Sequence, residues 1–227
     1  VVNGAGDING DGLSDLLLGS GDLSPGGLNH AGNVQVVYGR SGAFTSPLDL
    51  AALDASAGLR IDGAVGNAKL GLAVSAAGDV NGDGIDDFVL GAPTANIDDG
   101  SAYLLFGHAG GVPAPVALDA LDGSNGQLLV SGATITRAGS ALGAAGDING
   151  DGYDDLIIGT GAGAGALVVF GHGDGFAATL ALTALLTACG KNEAPKPAAE
   201  APAPAPVAAA ATKLVVGLDD NFPPMGF

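Results

Sequence analysis

The chain has 227 residues and a formal net charge of −17, with 24 acidic side chains against 7 basic ones, a balance that excludes ordinary nucleic-acid binding. Forty-one glycines, no tryptophan and only 14% charged residues beside 47% hydrophobic ones describe short strands joined by tight turns rather than helices or disorder. Twenty-two of the acids are Asp and two, Glu193 and Glu200, are Glu, which points to loops and metal sites rather than solvated helix faces. No apolar run is long enough for a transmembrane helix. One cysteine, Cys189, excludes an internal disulfide framework, which fits a cytosolic protein and equally a bacterial exported one stabilised by metal instead of sulfur. The chain opens on Val1 and its one Met is Met225, so a fragment or a processed product is expected.

Taken in chain order, one block recurs three times: AGDINGDGLSDLLLG from Ala5, AGDVNGDGIDDFVLG from Ala77 and AGDINGDGYDDLIIG from Ala145. A second block follows each, reading VQVVYGRSGAF from Val34, AYLLFGHAGGV from Ala102 and ALVVFGHGDGF from Ala166. A unit of this length with four strand-like runs is the size of one propeller blade. For the central unit the predicted strands lie near Leu70–Ala77, Asp87–Gly91, Ser101–Gly107 and Gln127–Ser131, joined by Gly/Asp-rich turns. The first copy is expected to lack most of its first strand, and the third to reach only its third strand. The fold predicted is therefore all-β, a partial β-propeller of fewer than three blades near 1–62, 70–131 and 139–185, with further blades expected upstream.

The turn after each first strand has the pattern D-x-N-x-D-G-x-x-D. It is present as Asp7, Asn9, Asp11, Gly12 and Asp15; as Asp79, Asn81, Asp83, Gly84 and Asp87; and as Asp147, Asn149, Asp151, Gly152 and Asp155. Oxygen-bearing side chains at positions 1, 3 and 5 of a tight loop converge on one point, and Gly at position 6 lets the position 7 carbonyl turn inward. Leu13, Ile85 and Tyr153 supply that carbonyl, and the position 9 Asp closes a shell of hard oxygens suited to Ca²⁺, giving up to three sites. An EF-hand begins in the same way but needs a carboxylate at position 12, where this chain has Leu18, Leu90 and Ile158. The alternative is a hairpin turn rich in Asp, Asn and Gly that holds no metal. His108 and His172 share one repeat position and read as solvated turn residues.

These repeats resemble FG-GAP repeats, the blades of the integrin alpha-chain propeller and of many bacterial surface proteins. The residues of the name are visible as Phe106-Gly107 and Gly91-Ala92-Pro93, while Gly19-Ser20 and Gly159-Thr160 depart from them. The resemblance covers 1–185 and implies four-stranded blades with Ca²⁺ in the hairpin loop between the first two strands, held by the residues named above.

The last forty residues read differently. Leu186-Thr187-Ala188-Cys189 resembles the lipobox of a bacterial lipoprotein signal, with Cys189 as the lipidated residue, followed by a Pro/Ala-rich linker through 212. Residues 213–227 resemble the truncated start of an amino-acid ABC importer solute-binding protein. A junction between two unrelated coding sequences near 185/186 is expected; the alternative is that 176–190 is the blade's next segment with a disordered tail.

No nucleophile elbow, phosphate loop or activated cysteine is present, so the chain is read as a non-enzyme. The function expected is that of calcium-binding repeats in a secreted or cell-surface bacterial protein, an adhesion or interaction scaffold for a protein or surface-glycan partner. The alternative is a periplasmic, lipid-anchored substrate-binding protein of an ABC transporter.

Overall fold

The computed structural model describes residues 1–44, 47–95, 100–131, 137–161 and 165–182. Twelve strands occur among them, with two single-turn 3₁₀ segments, and no helix there is long and apolar enough to cross a membrane. The predicted lipobox with Cys189, the linker to 212 and the importer-like segment 213–227 lie outside the described residues.

The first sheet is a meander of β1 (Val2–Gly6), β2 (Asp15–Ser20), β3 (Asn33–Val37) and β4 (Gly58–Asp62), each antiparallel to the next. The second repeats it with β5 (Ala73–Gly78), β6 (Asp87–Ala92), β7 (Ser101–Leu105) and β8 (Gly126–Ser131). The third holds β9 (Ala141–Gly146), β10 (Asp155–Gly159) and β11 (Ala166–Val169). The first strands β1, β5 and β9 pack beside one another, as the innermost strands of successive propeller blades do. The fold is thus the all-β partial propeller that the sequence predicts.

Two expectations need correction. The first copy keeps its first strand: β1 has five residues, Val2 facing Leu18, because the strand begins at the position of Ala73 rather than that of Leu70. The third copy runs beyond its third strand, but β12 (Thr179–Leu182) leaves its own sheet and pairs parallel with β8, Thr179 opposite Leu128. Gln127 Nε2 donates to Ala177 O and Leu128 N to Ala178 O, both at 2.9 Å, guiding the chain along that edge. The aligned residues of the first two copies are Pro47 and Pro115.

Packing follows the period of two along each strand. Phe88 and Leu90 of β6 face the first sheet and meet Leu17, Val34, Val36 and Ile61. Val89, between them, faces the third sheet with Leu104, Leu156 and Ile158. The second sheet is therefore buried on both sides, whereas Leu16 on β2 and Ile157 on β10 point outward. The sheets approach closely where glycine replaces a side chain. A Cβ on Gly19 would lie 2.2 Å from Gly71 O, and one on Gly91 would lie 2.1 Å from Gly139 O. The first Gly of the Gly-Ala-Pro turn, and its counterpart in the first copy, is thus fixed by contact with the next blade.

Candidate metal-binding loops

Each first hairpin turns through the D-x-N-x-D-G-x-x-D loop after a β-bulge at Ala5-Gly6, Ala77-Gly78 or Ala145-Gly146, with these glycines at φ of 76°, 73° and 65°. The bulge re-aims the chain so that the position 1 carboxylate points back into the loop. Asp7 Oδ1 accepts from Asp11 N at 3.0 Å and Oδ2 from Gly12 N at 2.7 Å. Asn9 Oδ1 accepts from the same Asp11 N at 2.9 Å, and Asp11 Oδ1 accepts from Leu13 N at 2.8 Å. The second loop reproduces this scheme through Asp79, Asn81, Asp83 and Ile85, and the third through Asp147, Asn149, Asp151 and Tyr153. Positions 1, 3 and 5 are brought together, with positions 1 and 3 on one shared N–H.

Position 9 behaves differently. Asp15, Asp87 and Asp155 are fully buried at the start of the second strand. Each spans two backbone groups: Ile8 N and Gly39 N for Asp15, Val80 N and Gly107 N for Asp87, Ile148 N and Gly171 N for Asp155, at 2.7–3.0 Å. This carboxylate ties the loop to the turn after the third strand. Burial pushes the Asp15 carboxyl up, and pushes that of Asp87 up to about 8. In contrast the Asp147 carboxyl is held below its ordinary value, chiefly by the Gly152 N–H.

Among the described residues no three Asp, Glu, His or Cys side chains form a ready metal cage; the loop oxygens are turned onto N–H groups instead. In the first loop Asp7 Oδ1 and Oδ2 each accept one N–H and keep a second lone pair, whereas Asp79 Oδ1 accepts from both Gly82 N and Asp83 N, and Asp147 Oδ1 from both Gly150 N and Asp151 N. The donor set is hard oxygen throughout, the kind Ca²⁺ takes; the groups that would hold it are the side chains of positions 1, 3 and 5, the carbonyl of position 7 and, from its buried place, the carboxylate of position 9. Among the described residues a cavity of about 300 Å³ is lined by Phe106, His108, Val112, Pro115, Leu121 and Ser124, with no carboxylate. His108 is exposed as expected, whereas His172 is half-buried and stacks on Phe176, ring centroids 4.2 Å apart.

Sequence reasoning missed the residues at positions 7 and 8 as contacts between loops. The Ile85 side chain reaches Gly10 of the preceding loop and the Tyr153 ring covers Gly82. Asp86 Oδ2 accepts from Asp7 N at 2.8 Å, and Asp154 Oδ2 from Asp79 N at 3.0 Å. The available signal was the doubled Asp-Asp that ends the second and third loops, where the first has Ser14-Asp15.

The family model for the FG-GAP repeat matches residues 70–105 and 138–170. These two segments carry FG-GAP repeats. The first copy lies outside both, although its sheet and loop repeat theirs. Integrin alpha-4 of Xenopus laevis is 32% identical over 157 residues, 68% of this chain and 14% of that protein. Phosphatidylinositol-glycan-specific phospholipase D of Bos taurus is 33% identical over 159 residues, 68% of this chain and 17% of that protein. Integrin alpha-2 of Mus musculus is 36% identical over 94 residues, 41% of this chain and 8% of that protein. The chain thus spans less than a fifth of the length of these relatives.

Proposed function

We propose that these FG-GAP blades are pinned by Ca²⁺ and serve as an adhesion or protein-interaction scaffold in an exported bacterial protein, at the cell surface or secreted, with a protein or surface glycan as partner. The observation that supports this reading is the same oxygen cradle built three times, in phase with the three sheets. The ion's contribution is structural: it neutralises carboxylates that repel one another and holds the hairpin closed. The residues that would hold it are Asp7, Asn9, Asp11, Leu13 and Asp15, with their equivalents in the next two loops. Blade boundaries near 1–62, 70–131 and 139–185 belong to the same reading, as do further blades upstream.

The test is a thermal melt in chelator and in millimolar Ca²⁺. A site at a hundredfold excess over Kd adds about 2.7 kcal/mol, which for a domain of this size raises Tm by about 5–11 °C. Identical melts in the two conditions remove the calcium reading.

A second reading is favoured by the phospholipase relatives: the blades are an accessory module beside a hydrolase domain, with catalysis elsewhere. On either reading this chain is no enzyme, and incubation with a phosphatidylinositol-glycan substrate should release nothing. The lipid-anchored importer reading rests on 186–227 alone; incorporation of labelled lipid at Cys189 would support it.

A further inference from the structure

We propose that Asp86 and Asp154 are positioning residues for the metal loop of the preceding blade, so that part of one loop's affinity resides in the next blade. The inference rests on the calcium reading above and deepens it. Position 1 is the hub of each loop: its carboxylate gathers the N–H groups of positions 5 and 6. Its own backbone is held from outside. Asp7 N donates to Asp86 Oδ2 at 2.8 Å while Asp86 N donates to Asp7 O at 3.1 Å. Asp79 and Asp154 repeat this clasp at 3.0 and 3.1 Å. The carboxylate lies over the glycine before the loop, where a Cβ on Gly6 would sit 2.2 Å from Asp86 Oδ2 and one on Gly78 2.0 Å from Asp154 Oδ2.

With its N–H and C=O both engaged, position 1 is oriented before an ion arrives. Without the clasp, the ion must order that residue itself, at the expense of affinity. Position 8 stands between two ligand positions of its own loop, 7 and 9, and so joins the two loops mechanically. Asp86 and Asp154 ligate nothing in the loop they support.

The test uses the full chain with Asp83→Ala and Asp151→Ala, which silence the second and third loops and leave the first, titrated with Ca²⁺ alone by calorimetry. Adding Asp86→Ala should weaken the remaining site about tenfold, the scale of ordering one side chain and its backbone. Asp86→Asn keeps an oxygen for the Asp7 N–H and should restore affinity to within about threefold of the parent. An Asp86→Ala value within about twofold of the parent overturns the proposal. So does an Asn variant as weak as the Ala one, since charge and not the hydrogen bond would then be acting. Should Asp86→Ala fail to fold, Asp86→Ser, the residue the first copy carries at this position, takes its place. A parent that takes up no Ca²⁺ sinks the calcium reading, and the proposal with it.

Discussion

Replacing Asp87 by Ala separates the two roles that the loop carboxylates play. Asp87 is fully buried, and its oxygens accept from Val80 N at 3.0 Å and Gly107 N at 2.9 Å. Alanine leaves both N–H groups without an acceptor, at about 1–3 kcal/mol each, so the loss expected is about 2–6 kcal/mol even with every trace of metal removed. Asp83 is exposed, and the groups it accepts from, Ile85 N and Asn81 Nδ2, can turn to water. Asp83→Ala in chelator should therefore cost less than about 1 kcal/mol. The assay is urea unfolding of the full chain in chelator and in Ca²⁺. With a urea slope of about 2 kcal/mol per molar, the Asp87→Ala midpoint should fall by about 1–3 M and that of Asp83→Ala by under about 0.5 M. In Ca²⁺ both variants should lose the contribution of the second site. Equal midpoints for the two variants in chelator would refute the reasoning, because position 9 would then have no role as a brace.

Other expectations follow from packing. Gly91→Ala places a methyl 2.1 Å from Gly139 O, and the backbone shift this forces should cost about 1–3 kcal/mol, read from the urea midpoint; an unchanged midpoint would mean that the blades do not approach as described. Tyr38 Oη accepts from Val112 N at 2.9 Å across two blades, so Tyr38→Phe should cost about 1 kcal/mol without altering the Ca²⁺ response. Phe88→Ala, at a fully buried ring, should cost about 3–5 kcal/mol. Burial, and then the charge of Asp119, push the Tyr103 phenol above its ordinary 10.0. The folded state thus keeps a proton that the unfolded chain releases near 10, so this residue leaves stability unchanged below that pH and lowers it as pH rises further. Tyrosinate absorbance followed through alkaline unfolding checks this, and ionisation of Tyr103 at its ordinary pH in the folded chain would refute it.

Much of this arrangement is written in the repeat itself. The copies of AGD-x-NGDG place the loops, and the apolar runs Leu16–Gly19, Phe88–Gly91 and Leu156–Gly159 fall on β2, β6 and β10. Alternation along one strand could not show which face of Phe88 or Val89 meets which neighbour, since both faces of β6 are covered. The hydrogen-bonded clasp between Asp86 and Asp7 was hidden for another reason. Its partners are 79 residues apart, and an Asp beside another Asp in a turn looks like ordinary loop composition. The departure of β12 was missed because Phe176–Leu185 aligns well with the earlier copies, so nothing in the repeat marks a change of partner strand.

Support that always comes from the following repeat gives the chain a direction in time. Asp7 acquires its clasp only once residue 86 has been made, and Tyr38 its N–H partner only at residue 112. At a synthesis rate of about 5–20 residues per second, the 79-residue interval to Asp86 is a wait of roughly 4–16 s. During that wait the backbone of Asp7 is without the partner that later holds it. The first two loops are therefore completed one repeat late.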